Sequence, residues 1–315
     1  MAERTPHGVD PEDEQRHRAG DEALWNESYY LDFIDGSGHL AGYVRIGLYP
    51  NLGVTWWTAM LVGEGRPVLA SVDYEAPLPG ETGVELRTDQ LAVELGVGHP
   101  LERMTVQATA PALAFDDAPA VYARQPGEAA TVGLDLTWTT DGVPYHYDVT
   151  TRYEVPCLVS GQITVDGHRT AVVGQGQRDH SWGVRDWWAF GWCWAAARLD
   201  DGTRVHVADI RIPGTPIALG YVQPAAGGVQ PVEGLVVTEE LGAEGIPTGA
   251  HIEVGPGPID LDVQPIAFGP LVLTAPDGRI SRFPRAAARF VASDGRTGTG
   301  WIEWNQPQPA PPVPH

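Results

Sequence analysis

The sequence predicts an all-β protein of antiparallel barrels or sandwiches, and three observations carry the prediction. Five Asp-Gly pairs (Asp141-Gly142, Asp166-Gly167, Asp201-Gly202, Asp277-Gly278 and Asp294-Gly295) interrupt short runs of Val, Ile, Thr and aromatic residues. Asp-Gly readily supplies the two positive-φ positions of a tight hairpin turn. The 38 glycines and 28 prolines are spread along the chain, as in proteins with many turns. No segment sustains the apolar period of an amphipathic helix. The stretch PLERMTVQATAPALAF, residues 100–115, is the best helix candidate.

Taken in order, residues 1–22 are mostly polar and show no apolar period, so they read as a disordered tail. Order begins near Trp25. WNESYYLDFID alternates imperfectly and runs into the turn signal Asp35-Gly36-Ser37-Gly38. LAGYVRIGLYP and GVTWWTAMLVG follow as second and third strands. Further on, LTWTTDGVPYHYDVTTRYEV, GQITVDGHRTAVVG, ARLDDGTRVHVADIRI, LVLTAPDGRISRF and RFVASDGRTGTGWIEW each read as strands around a turn. A chain of 315 residues favours about two domains. These are expected at 23–165 and 166–304, packed closely because no linker separates them. NQPQPAPPVPH, residues 305–315, reads as a Pro-rich tail.

Formal net charge is -21 and every basic residue is Arg. Acidity of that size argues against nucleic acid and anionic membrane surfaces as partners. The missing Lys excludes a lysine Schiff base, a pyridoxal-phosphate anchor and a P-loop lysine. No apolar run is long enough to span a bilayer, and the first residues are too charged for a signal peptide. Cys157 and Cys193 are too few for a disulfide framework. The expectation is a cytoplasmic protein without stable membrane insertion.

The richest stretch is Gly174–Trp194, GQGQRDHSWGVRDWWAFGWCW. It carries Arg178, Asp179 and His180, the pair Arg185 and Asp186, and five of the 11 tryptophans. Buried Arg and Asp are costly unless paired, and tryptophans bury large apolar areas. Such a segment is either a polar network under an aromatic lid or an active site. It is not a dinucleotide fingerprint, because Asp179 stands where the third glycine would fall. Nor is it a nucleophile elbow, because Ser181 lies between His180 and Trp182. His146, His180, His206 and His251 match no zinc spacing, so neither metal nor cofactor is expected.

Asp209 stands out by strand phase. In TRVHVADIRI a period of two puts Val205, Val207, Asp209 and Arg211 on one face. If that face lines an interior, Asp209 is a carboxyl in apolar surroundings, where desolvation favours the protonated form. The structural alternative is a salt bridge to Arg211 or Arg178. Glu27 and Tyr29 share a face of the first strand and reach a pocket or merely give that strand an ordinary polar edge. Glu303 is a last-strand carboxylate available to Arg178 or Arg185.

GQGQRDHSWGVRDW resembles the Gly-x-Gly-x-x-Asp-His-(Asn/Ser)-Trp-Gly signature of the carotenoid 1,2-hydratase (hydroxyneurosporene synthase) group. WNESYYLDF and GYVRIGLYPN resemble the N-terminal half of an actinobacterial branch of that superfamily, which also takes in tocopherol-cyclase-like proteins and fungal Diels–Alderases. The resemblance covers most of residues 23–304, and its specific part is the central motif. It implies two tandem lipocalin-like (calycin) β-barrel domains packed together, with an apolar ligand bound. Carried over, the motif falls on Asp179, His180 and Trp182, of which the family's pocket-lining His and Trp are His180 and Trp182. The proton donor of its Tyr-x-Asp falls on Asp209, where Val207 replaces the tyrosine.

The expected chemistry is cofactor-independent acid catalysis on an isoprenoid or terpenoid-like alkene: hydration, dehydration, isomerisation or cyclisation. Asp209, His180 and Asp179 are the candidate catalytic residues. Trp182, Trp187, Trp188, Arg178, Glu27 and Tyr29 would bind the substrate. The rival readings are a pericyclase that works by shape and hydrogen bonding, and a lipid or terpenoid carrier.

Overall fold

The structure is a computed structural model and describes residues 8–242, 245–255 and 259–308. It is nearly all β, with two large curled antiparallel sheets that form two barrel-like units. The first unit takes residues 1–115 and 126–185, and the second takes 116–125 and 186–315.

In the first unit the strands are β1 (Trp25–Asp35), β2 (Ala41–Tyr49), β3 (Val54–Val62), β4 (Val68–Ala76), β5 (Val84–Arg87), β6 (Ala92–His99), β7 (Arg103–Phe115), β8 (Glu128–Thr140), β9 (Tyr145–His146), β10 (Arg152–Val165) and β11 (His168–Val184). Their order is β4-β3-β2-β1-β11-β10-β8-β7-β6-β5, and β7 also pairs back to β4. That second pairing closes the sheet on itself, with β6 and β5 continuing beyond β7. Side chains that alternate inward, among them Leu31, Phe33, Ile46, Trp57, Val106, Trp138 and Val155, fill the barrel.

The expected junction near 165 falls inside this barrel. Asp166 (φ 47°) and Gly167 (φ 84°) make the tight turn that joins β10 to β11. Beyond it β11 pairs with β10 on one side and with β1 on the other. A strand held between two strands of the first sheet belongs to that sheet, so the second unit starts after Arg185.

The glycines Gly174 and Gly176 explain how β11 fits there. A Cβ on Gly176 would sit 2.0 Å from the carbonyl oxygen of Asp32, and one on Gly174 would sit 2.1 Å from that of Ile34. Only glycine lets the two backbones approach this closely.

The second unit contains α1 (Ala118–Tyr122) and strands β12 (Gly191–Leu199), β13 (Arg204–Arg211), β14 (Ile217–Gln223), β15 (Gln230–Pro231), β16 (Gly234–Leu241), β17 (Pro247–Gly255), β18 (Ile259–Phe268), β19 (Leu271–Thr274), β20 (Ile280–Phe283), β21 (Arg285–Ala292) and β22 (Thr297–Gln308). The sheet order is β15-β14-β13-β12-β22-β21-β18-β17-β16, and β20 joins β19 to β22. Its core is lighter, with alanines at 195, 250, 286 and 288 around Ile252, Leu261, Phe290 and Trp304.

Three local expectations change. The helix candidate at 100–115 is mostly β7, whose burial alternates with a period of two. Its alanines suit a helix by propensity, but pairing with β6 and β8 decides the outcome. The tail expected from 305 begins later, because β22 runs to Gln308 and Asn305 is buried; residues 309–315 lie outside the described ones. The tail expected at 1–22 is built from residue 8 onward. A short 3-10 helix, η1 (Pro11–Glu14), is capped by the Asp10 side chain on the Glu12 N–H, and residues 1–7 lie outside the described ones.

Candidate functional site

Alternation along β1 and β11 sorts the candidate residues onto two faces. The ladder pairs Glu27 with Trp182, Tyr29 with His180 and Leu31 with Arg178. Because Tyr29, Leu31 and Phe33 belong to the barrel core, Glu27, Arg178, His180 and Trp182 face inward with them. On the other side of β11, Tyr153 is paired with His180 and also faces inward.

Hydrogen bonds link the members of the inward cluster. His180 is fully buried. Its Nε2 lies 2.5 Å from Glu27 Oε1, and its Nδ1 lies 3.2 Å from the Tyr153 hydroxyl. The Tyr153 hydroxyl donates to Glu14 Oε1 at 2.6 Å, and Arg178 Nη1 donates to the same oxygen at 2.6 Å. Both nitrogens of His180 are therefore engaged, one by Glu27 and one by the Tyr153 hydroxyl. Tyr29 stacks on the His180 ring at 4.1 Å, and the Trp182 ring lies 5.4 Å away.

Residues 8–18 complete the cluster as a strap. Glu14 lies wholly inside the protein. The His17 ring stacks on Trp182 with centroids 3.7 Å apart and planes 9° apart. His17 Nδ1 reaches Glu27 Oε1 at 2.9 Å, and its backbone N–H donates to Glu27 Oε2 at 2.8 Å. Asp13 flanks the far nitrogen of His17 at 3.7 Å. Val9 packs against the barrel core.

Burial alone would raise the Glu27 carboxyl, but hydrogen bonds from His17 and His180, with the His180 charge, outweigh it and hold Glu27 below its ordinary range. Tyr29 and Tyr153 are pushed well above theirs, first by burial and then by the nearby carboxylates Glu27 and Glu14. Both phenols are therefore neutral, and that of Tyr153 donates to Glu14. His17, Glu27 and His180 bring their ligand atoms within 4.8 Å of one another, a donor set that a divalent ion would accept. Their distances to the shared oxygen, 2.5 and 2.9 Å, are those of a proton-sharing cluster.

Asp179 points the other way. It pairs with Arg152 at 2.7 Å, and Arg152 also pairs with Glu154 at 2.7 Å. Tyr147 and Gln177 donate to Glu154 at 3.1 and 3.0 Å. Arg185 lies near this second network, where burial and the Arg152 charge lower it to about 10. Arg178, Asp179 and His180 therefore serve two networks on opposite faces of one strand. His180 is held by Glu27 and Tyr153, not by its chain neighbours Arg178 and Asp179.

Other candidates lie in the second unit. Trp187 packs edge-on against Phe283, and Trp188 donates to the Leu273 carbonyl at 3.1 Å with Arg279 over its ring. Asp209 shares the inward face of β13 with Val205 and Val207, as phase predicts, but it lies near the strand end. There its carboxylate accepts from Arg211 at 2.8 Å, and Arg211 also pairs with Glu239. The salt-bridge alternative describes Asp209, and its surroundings are charged rather than apolar. Glu303 pairs with Arg285, not with Arg178 or Arg185, and accepts from Trp192 at 2.8 Å.

Sequence reasoning missed Glu14, His17 and Tyr153. Tyr153 was within reach: a two-residue turn at Asp166-Gly167 fixes the β10–β11 register, and counting back from it pairs Tyr153 with His180. Glu14 and His17 carried no signal, since a polar segment gives no period to read.

The fold is shared with solved structures of low sequence identity. A candidate AttH protein from Nitrosomonas europaea is 16% identical, with TM-score 0.63, over 95% of this chain and 98% of that one. Kievitone hydratase from Nectria haematococca is 12% identical, with TM-score 0.59, over 90% and 89%. CghA is 12% identical, with TM-score 0.54, over 100% and 97%. Identities this low establish the common fold. No curated protein matches the sequence. Residues 10–308 match one family across nearly the whole chain, and the protein belongs to that family, described as Domain of unknown function (DUF7064).

Proposed function

We propose that the first barrel carries out acid–base catalysis on a small apolar alkene, without a redox cofactor, and that His180 moves the proton. The observation behind this reading is a fully buried histidine held between Glu27 and Tyr153 and stacked on Tyr29. A histidine gripped on both nitrogens is oriented and kept supplied with a proton. In the forward step His180 exchanges its longer contact, the one from Nδ1 to Tyr153, for the substrate, the Nδ1 proton passes to one alkene carbon, and the electron deficiency falls on the neighbouring carbon. The faces of Tyr29 and Trp182 stabilise a cation there, and the Glu27 carboxylate balances its charge. Water then adds to the cation and gives up a proton to His180, completing a hydration; transfer of a different substrate proton to His180 completes an isomerisation. An isoprenoid-like substrate fits the resemblance to the carotenoid hydratase group, and one protein of shared fold is named a hydratase.

Material extracted from the purified protein identifies the substrate class by mass spectrometry. Turnover of that material in deuterium oxide should place solvent deuterium on carbon. General acid–base assistance contributes about 10²–10⁴-fold in rate, so His180→Gln and Glu27→Gln should lose that much while still binding ligand. Asp209→Asn should be mild. Product without deuterium would support the pericyclase reading, and unchanged ligand the carrier reading. Loss of turnover in Asp209→Asn alone would move the site to the second unit.

A further inference from the structure

We infer that the ligand of the first barrel carries a carboxylate, which takes the position that Glu14 holds against Arg178 and Tyr153. The inference rests on the proposed apolar site and adds a head group to its substrate class. Arg178 has a side chain only 1% exposed, so its charge is expensive without a partner. Its ion-pair partner is not part of the barrel wall, which offers the neutral Cys157 thiol beside it. Glu14 comes from η1, four residues long and far from Arg178 in sequence.

The pairing is also incomplete. Arg178 Nε and Nη2 and Glu14 Oε2 make no hydrogen bond with any described residue. A guanidinium offers a planar fork that a carboxylate can fill bidentately, and the strap fills one prong. A free acid entering the barrel can use both prongs and the Tyr153 hydroxyl as well.

The strap marks out the rest of the ligand. Its three inward contacts are a carboxylate on Arg178, a flat unsaturated ring stacked on Trp182, and an apolar side chain on the core. An unsaturated or aromatic acid presents the same three features on one molecule. Its body would then lie along Tyr29 and Trp182, beside His180. A neutral ligand cannot take Glu14's place without stranding the Arg178 charge, so displacement of the strap selects for acids. Atoms of the strap and of the acid exchange places only; no bond is made or broken.

The test uses cis-parinaric acid, a fluorescent conjugated tetraene acid, against its methyl ester, with the full-length protein. The acid should bind at least about tenfold more tightly than the ester, the scale of one charge-assisted pair. Glu14→Ala removes the competing carboxylate, so acid and ester affinities should both rise about tenfold, because neither ligand then has an Arg178–Glu14 pair to break, while the acid keeps its preference over the ester. Arg178→Met should erase the preference for the acid. Independently, the acid but not the ester should speed tryptic cleavage after Arg16 and Arg18. Equal binding of acid and ester, or no gain with Glu14→Ala, overturns the carboxylate assignment and leaves the apolar site standing. Failure of both probes to bind wild type and Glu14→Ala overturns the two readings together.

Discussion

Glu27 shows how neighbours set the behaviour of one residue. Its carboxyl is held below the ordinary 4.5 because donors from His17 and His180 outweigh burial. A folded value below the unfolded one means that ionised Glu27 stabilises the fold above about pH 4.5. That contribution drains away as the pH falls through the depressed value. Glu27→Gln has no such proton to bind, so its urea stability should depend less on pH below 4.5 than that of wild type. Parallel curves for the two proteins would remove Glu27 from the acid transition. Asp179 is a contrasting case. Arg152 keeps Glu154 when Asp179 is lost, so Asp179→Ala should cost about 1–3 kcal/mol in chemical denaturation. A stranded buried charge would cost about 3–5 kcal/mol. Residue identities were largely legible: the motif drew attention to Arg178, Asp179, His180 and Trp182. Their partners were not, because partnership depends on which face of a strand each side chain takes.

At the scale of elements, strand pairing overrides local preference. The Ala-rich 100–115 stretch tolerates a helix, yet most of it forms β7 between β6 and β8. Its inward Met104, Val106, Ala108, Ala110 and Ala112 were there to read at period two. The β1–β11 contact depends on backbone proximity, which propensity does not register. Gly176→Ala should cost about 3 kcal/mol or prevent folding, since the new methyl meets the Asp32 carbonyl at 2.0 Å. Gly36→Ala, where nothing lies within 4 Å, should stay within about 0.5 kcal/mol. Equal stability of the two variants would contradict the close approach. The strap was illegible for a different reason. Composition measures whether a segment can form its own core, and residues 8–18 borrow the core of the barrel.

At the scale of the whole molecule, the Asp-Gly turns and the missing helical period were enough for an all-β chain of two barrel-like units. The boundary was not legible, because the hairpin at Asp166-Gly167 resembles every other hairpin in the sequence. What fixes it is closure: the first barrel needs β11 between β10 and β1. A fragment ending at Val165 should therefore be insoluble or lack a cooperative transition by far-ultraviolet circular dichroism. One ending at Arg185 should give a β spectrum and unfold cooperatively. Cooperative folding of the shorter fragment would show that β11 is dispensable to the barrel.

Residues 116–125, with α1, interrupt the first unit between β7 and β8 yet belong to the second. During synthesis this short piece leaves the ribosome well before any other part of its own unit. The first barrel can close as soon as β11 has emerged, but the second unit draws on a segment synthesised before β8. Order of manufacture and order of assembly therefore differ: α1 is made first and meets β19 only after most of its own unit has been synthesised.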